Sequence, residues 1–279
     1  MKKFFLLGNP VTHSCSPVIH NCFYDFLNEE AEYNLLSLKR GELQNFVSIF
    51  RSDDSMVGFN LTLPFKTEIM DFLDDFSDEA EAMGAVNTVA KVDGKLRGYN
   101  TDGMGFYLQL LRHRVDAQGL RVKILGAGGA AKSIAYTLNS FGAESVIIYN
   151  RTPGNAAKIA DAVGGNVSAE TLSNFDAKNC DVLIQTSSVG LRGKNEGSIV
   201  DSLPGISRDT IVFDIIYNPL KTKFMSIAEE NGCKSVNGCE MLIYQAALAA
   251  RIWLCNDFPV DDSLFRDIHA AVMRRISDY

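Results

Sequence analysis

Four short stretches of the chain concentrate hydroxyls, amides, one lysine and one aspartate beyond the needs of a scaffold. They are His13-Ser14-Cys15-Ser16-Pro17, Asn60-Leu61-Thr62-Leu63-Pro64-Phe65-Lys66, Ala85-Val86-Asn87-Thr88 and Asn100-Thr101-Asp102. Two hydroxyls at the start of a helix can receive a carboxylate, because they add donors to free backbone N–H groups at the positive end of the helix. Each residue also has a plain structural reading: Ser16 and Asp102 as helix N-caps, and Lys66 as a solvated surface cation.

A fifth stretch, Gly126-Ala127-Gly128-Gly129-Ala130-Ala131, fits GxGxxA between an apolar run and a helical pattern. Small residues there allow a tight turn, close approach of a pyrophosphate to the backbone and close helix–sheet packing, with the phosphates at the positive helix end. A purely structural glycine turn is the alternative. About twenty positions on, dinucleotide sheets that bind NAD carry an acidic residue for the ribose 2′-hydroxyl. Asn150-Arg151-Thr152 stands there instead. A guanidinium offers a planar fork that matches the oxygens of a 2′-phosphate, so the expected cofactor is NADP. The other reading of Arg151 is an exposed arginine at a strand end.

The elements that must position these residues alternate. Runs at 2–7, 33–38, 56–61 and 87–92 read as strands separated by helical patterns. After Ser16-Pro17, read as N-cap and first helical residue, Val18, Ile19, Cys22, Phe23, Phe26 and Leu27 predict one apolar helix face. Asp93-Gly94 predicts a hairpin turn. From 121 the alternation is more regular: strands at 121–126, 145–150, 181–186 and 211–216, and helices at 129–141, 153–163 and 220–231, the pattern of a parallel, doubly wound sheet. Residues 239–254 and 263–276 read as two closing helices. The fold class is α/β.

With 279 residues and 46% apolar side chains, the chain suits about two domains with proper cores, which excludes a disordered or fibrous protein. A net charge of -7 gives no basic footprint for nucleic acid or anionic lipid, leaving small molecules as partners. The six cysteines form no CxxC pair and complete no zinc spacing with the histidines, so no metal and free thiols in a reducing cytoplasm are expected. The apolar start is too short for a signal peptide, and no run reaches the roughly 18 apolar residues of a membrane helix.

Taken together, the motifs resemble the shikimate dehydrogenase family over almost the whole chain. They are GNPxxHSxSPxxHN (8–21), GxNLTxPxK (58–66), GAVNT (84–88), GxNTDxxG (98–105), GAGGAA (126–131), NRT (150–152), DxxYxPxxT (214–222) and GxxMLxxQA (238–246). The resemblance implies NADPH-dependent, reversible reduction of 3-dehydroshikimate to shikimate in aromatic amino-acid biosynthesis. It implies Lys66 and Asp102 as the catalytic pair, Ser14 and Ser16 at the substrate carboxylate, and Asn60, Thr62, Asn87, Tyr217 and Gln245 around its hydroxyls. It places the nucleotide on Gly126, Gly128, Gly129, Ala130, Ala131, Asn150, Arg151 and Thr152, with Thr186, Ser187, Gly238 and Met241 on the nicotinamide side. Residues 1–103 and 239–279 would form the substrate domain, 104–238 the dinucleotide domain, and the protein would be a monomer or homodimer. Two alternatives belong to the same expectation: an enzyme acting also on quinate and using NAD, and a non-catalytic sensor of shikimate or NADP.

Overall fold

The apolar run at the start of the chain forms a strand, β1 (Lys2–Gly8). Phe4 and Leu6 join one apolar cluster while Phe5 and Leu7 join another, the period-two alternation of an extended chain covered on both faces. The computed structural model describes residues 1–193 and 196–277. It divides into two units, Met1–Thr101 with Ile243–Tyr279, and Asp102–Leu242.

In the first unit β1 is followed by α1 (Ser16–Leu27), β2 (Ala31–Ser37), α2 (Leu43–Ser52), β3 (Met56–Leu61), α3 (Phe65–Glu68), β4 (Asp75–Phe76), α4 (Asp78–Met83), β5 (Thr88–Val92) and β6 (Lys95–Tyr99). The sheet order is β2-β1-β3-β5-β6-β4. β1 runs parallel to β2 and β3, whereas β5 is antiparallel to both β3 and β6. Asp93 (φ 49°) and Gly94 (φ 77°) make the β5–β6 turn with two left-handed residues, as a tight hairpin requires.

Helix α1 corrects two expectations. Ser16 is not the N-cap: that position is Cys15, without a side-chain cap, and Ser16 is the first helical residue. The buried face carries Ile19, His20, Phe23 and Tyr24, while Phe26 is 46% exposed. An aromatic cluster of Phe4, Tyr33 and Trp253 draws His20 and Tyr24 inward, so the helix is rotated relative to the face read from aliphatic spacing.

The second unit contains α5 (Asp102–Arg112), β7 (Arg121–Leu125), α6 (Gly129–Ser140), β8 (Ser145–Asn150), α7 (Pro153–Val163), β9 (Val167–Thr171), β10 (Val182–Gln185), β11 (Ile211–Asp214), α8 (Lys223–Glu230) and β12 (Lys234–Val236). Its sheet, ordered β12-β11-β10-β7-β8-β9, is parallel throughout. Strand order reverses at β7, and open parallel sheets bind ligands outside the carboxyl ends of the strands at such a switch point. The sequence reading did not anticipate β9 and β12; both are short edge strands, and β9 alternates half-buried with exposed residues and so lacks an apolar run. The second-unit strands at 181–186 and 211–216 close at Gln185 and Asp214, and the helix read from 220 begins at Lys223, because Thr222 caps it through Met225 N–H. α9 (Cys239–Leu254) carries the chain back to the first unit, where α10 (Asp262–Ser277) packs on α1. Among the described residues no helix is long and apolar enough to cross a membrane.

Candidate functional site

In the first unit the polar residues singled out by sequence gather at the carboxyl ends of β1 and β3 and around the start of β5. β1 and β3 each end in a polar loop. Ser14 and Ser16 face one another at the entrance to α1: the Ser14 hydroxyl donates to Ser16 Oγ (3.0 Å) and accepts the Ser16 backbone N–H (3.1 Å). Thr62 is tied back to β1 by its N–H to Leu7 C=O (2.9 Å), and its own carbonyl accepts from Phe65 N–H (3.0 Å). That turn starts α3, the single helical turn that carries half-buried Lys66, whose carbonyl accepts from Val86 N–H (2.8 Å). Lys66 therefore sits on a backbone pinned to the segment that contains Asn87.

Asn60 and Asn87 are buried and joined. Asn60 Nδ2 donates to Asn87 C=O (3.1 Å) and to Thr88 Oγ1 (2.9 Å). Thr88 in turn donates to Asn87 Oδ1 (2.9 Å). Asn87 Oδ1 also accepts Thr101 N–H, and Nδ2 donates to Thr101 Oγ1, both at 2.9 Å. Thr101 ends the first segment of the unit, and the next residue, buried Asp102, opens α5 in the other unit. Gln245 lies half-buried on the part of α9 that belongs to the first unit.

In the second unit the turn after β7 is built from backbone. Gly126 has φ 110°, a conformation L side chains rarely adopt, and a Cβ on it would lie 2.8 Å from Thr186 Oγ1. Thr186 is held there by its N–H (2.8 Å) and hydroxyl (3.0 Å), both donated to Leu125 C=O. Gly128 is the extended N-cap of α6 and offers no side-chain acceptor, and a Cβ at Gly128 or Gly129 would meet nothing within 4 Å. The space beside both glycines at the start of the helix is thus open, which fits close approach of a pyrophosphate to the backbone. At the end of β8, Asn150 Nδ2 donates to Thr152 C=O (2.9 Å), and Arg151 is exposed. Gly238 packs so closely that a Cβ would overlap the carbonyl oxygen of Ile215, while Met241 is buried in the core of this unit. Ser187 and Tyr217 are half-buried on the loops after β10 and β11.

The structure brings Ser14 to Ser16 and Asn60 to Asn87, and places Lys66 and Asp102 in different units. It also adds residues the sequence reading left out. Asp214, buried at the end of β11, accepts from Thr222 Oγ1 (2.7 Å), Ile216 N–H (3.0 Å) and Gln185 Nε2 (3.3 Å). Burial pushes its carboxyl up to about 6, against those three donors. Both Asp214 and Thr222 stand in the motif at 214–222, where the spacing was visible but not the contact. Tyr33 gave no signal beyond that of a strand aromatic; its hydroxyl donates to Asn60 Oδ1 (2.6 Å).

Residues 6–89 match the family described as shikimate dehydrogenase substrate binding domain, and residues 109–219 match that of shikimate / quinate 5-dehydrogenase. The chain is 41% identical to shikimate dehydrogenase (NADP(+)) of Caldicellulosiruptor bescii, over 91% of this chain and 89% of that protein. It superposes on a crystal structure of a shikimate dehydrogenase in complex with NADP+ with a TM-score of 0.90 at 31% identity, covering 99% of this chain and 96% of the other. The shikimate 5-dehydrogenase of Thermus thermophilus, in complex with NADP(H) and shikimate, is 34% identical with a TM-score of 0.85, over 99% and 100% of the two chains.

Proposed function

The chain belongs to the shikimate dehydrogenase family, and from that premise we propose how its own residues perform the NADPH-dependent, reversible reduction of 3-dehydroshikimate to shikimate. The observation that carries the reading is that both matched regions keep their chemistry, Lys66 with the amide and hydroxyl cluster in residues 6–89 and the glycine turn with Arg151 in residues 109–219, and that Asp102 stands between them. Gly126, Gly128, Gly129, Ala130 and Ala131 hold the pyrophosphate, Arg151 with Asn150 and Thr152 holds the 2′-phosphate, and Thr186, Ser187, Gly238 and Met241 shape the nicotinamide side. When bound, the nucleotide supplies the hydride.

Negative charge then grows on the carbonyl oxygen of the substrate and must be stabilised and protonated. Lys66 does both, as general acid in reduction and as base in the reverse direction. Asp102 binds the adjacent substrate hydroxyl and orients the lysine. Ser14 and Ser16 receive the carboxylate, and Asn60, Thr62, Asn87, Tyr217 and Gln245 hold the ring hydroxyls, so the ketone is presented in one orientation. None of the six cysteines is joined in a disulfide, which suits a cytoplasmic enzyme.

The test is a spectrophotometric assay of NADP+ reduction by shikimate, with quinate and NAD+ as parallel arms. NADP+ reduction by shikimate, with much weaker quinate and NAD+ arms, is the expected result. Comparable rates with quinate or NAD+ would make the enzyme a broader shikimate/quinate dehydrogenase. Tight binding of NADP without turnover of either acid would make it a sensor.

A further inference from the structure

Tyr33 lies on β2, outside every motif that carries the family resemblance, yet its phenol is buried at the centre of the first unit's polar network. It donates to Asn60 Oδ1 at 2.6 Å. The direction of that bond is forced: with the amide of Asn60 reversed, Oδ1 would face Asn87 C=O, two acceptors with no proton between them. Burial holds the phenol well above its ordinary range, so it keeps its proton as a donor. The links then run with one polarity from Tyr33 through Asn60 and Thr88 to Asn87.

The ring of Tyr33 is seated independently of its hydroxyl. It stacks on His20 at 4.2 Å with planes 5° apart. Desolvation lowers the His20 imidazole to about 3, so it is a neutral platform. Tyr24 approaches the same imidazole, with ring centroids 6.1 Å apart, and its hydroxyl has no hydrogen-bond partner among the described residues. Two buried tyrosines thus share one histidine, and one of them is wired into the polar network.

We propose that Tyr33 is a positioning residue for the hydroxyl end of the substrate subsite: its hydroxyl fixes the amide of Asn60 and, through Thr88, that of Asn87. The inference rests on the reading of Asn60 and Asn87 as substrate groups. Tyr33 touches no reacting atom; it sets the donors and acceptors that the substrate meets.

The test compares Tyr33→Phe with Tyr24→Phe in the full-length enzyme, measuring kcat and KM for shikimate and NADP+ and the thermal midpoint. Tyr33→Phe keeps the stacked ring and removes one oxygen. It should raise the shikimate KM about tenfold, the effect of one lost hydrogen bond to a buried amide, with kcat changed by less than about threefold and the NADP+ KM unmoved. Tyr24→Phe should leave all three constants at the parent values. An unchanged shikimate KM in Tyr33→Phe, or a fall in thermal midpoint and kcat without a change in KM, overturns the proposal, as does an equal KM effect in Tyr24→Phe. If Tyr33→Phe does not fold, Thr88→Val cuts the same path between Asn60 and Asn87 and decides by the same KM readout. A parent enzyme that does not turn over shikimate overturns the functional reading and this proposal with it. An active parent with an indifferent Tyr33→Phe overturns this proposal alone.

Discussion

In the first unit, the groups assigned to the substrate are side chains locked to one another: Ser14 to Ser16, Asn60 to Thr88, Asn87 to Thr101. In the second, the groups assigned to the nucleotide are largely backbone, exposed by residues too small to cover it, with one guanidinium added at the end of β8. The difference follows from what each must recognise. A pyrophosphate is an anion that any row of N–H groups satisfies, so a glycine turn before a helix is enough. A ring with several hydroxyls needs donors and acceptors in a fixed order, and only oriented amides and hydroxyls supply that order. The mixed sheet of the first unit carries such side chains at its strand ends, whereas the parallel sheet of the second delivers a turn at its switch point.

The largest expected effect separates the two roles outright. Lys66→Ala should lower kcat by roughly 10²- to 10⁴-fold, because the interaction it removes is strongest in the transition state, while NADP binding by the second unit persists. Asp102→Ala should be comparably damaging. If the two act as one device, the double variant falls well short of additive. Steady-state kinetics with direct nucleotide titration checks this; a Lys66→Ala enzyme that keeps most of its kcat removes the lysine from the chemistry.

The same contrast explains what could be read before any coordinates. The GAGGAA turn, the flanking apolar strands and the alternation from 121 onward were legible, because a backbone site leaves its mark as missing side chains at fixed places in a regular pattern. Asn60, Asn87 and the serines were legible as residues, through their motifs. Their wiring was not: Tyr33 and His20 look like ordinary strand and helix residues, and only the fold brings 33 beside 60 and 20 beside 33. Ser16 was misplaced as a cap because a serine before a proline satisfies the N-cap pattern equally well one residue off.

Among the groups each unit buries is one with a strongly displaced titration, and the two oppose each other in sign. His20 is depressed to about 3 in the folded chain, so between that value and its ordinary range near 6.5 the unfolded chain binds the extra proton and stability is lost as pH falls. Asp214 is raised to about 6, so the folded chain binds the extra proton between the ordinary aspartate range and 6, and stability is lost as pH rises through that window. Each group contributes a slope approaching about 1.4 kcal/mol per pH unit within its window. Denaturant unfolding from pH 4 to 7 should show His20→Phe flattening the acid limb and Asp214→Asn removing the opposite trend. Parallel curves for parent and variants would mean that neither burial is felt in solution.

A smaller effect tests the nucleotide side alone. Arg151→Ala should weaken NADP by roughly 1.5 to 3 kcal/mol, the worth of charge-assisted hydrogen bonds to a 2′-phosphate, with little change in NAD affinity. The shikimate KM should stay at its parent value. Equal losses for both nucleotides, measured by titration, would remove the 2′-phosphate from Arg151.

The smallest effect probes the entrance of α1, where two serines with the same side chain do different work. Ser14 Oγ accepts the N–H of Ser16, one of the helix's otherwise orphan donors, so Ser14→Ala should cost at most about 1 kcal/mol of stability through the helix end. Ser16 caps nothing, and its hydroxyl accepts from Ser14 Oγ. Ser16→Ala should therefore cost less in the parent, and become nearly neutral once Ser14→Ala has removed its donor. Both single variants should raise the shikimate KM, since a carboxylate held alike throughout the reaction is lost from binding and not from kcat. Unfolding free energies of the four enzymes in this cycle decide the matter: a Ser16→Ala cost that persists in the Ser14→Ala background would show that the serine stabilises its helix directly, and the two units would then differ less than the hydrogen bonds indicate.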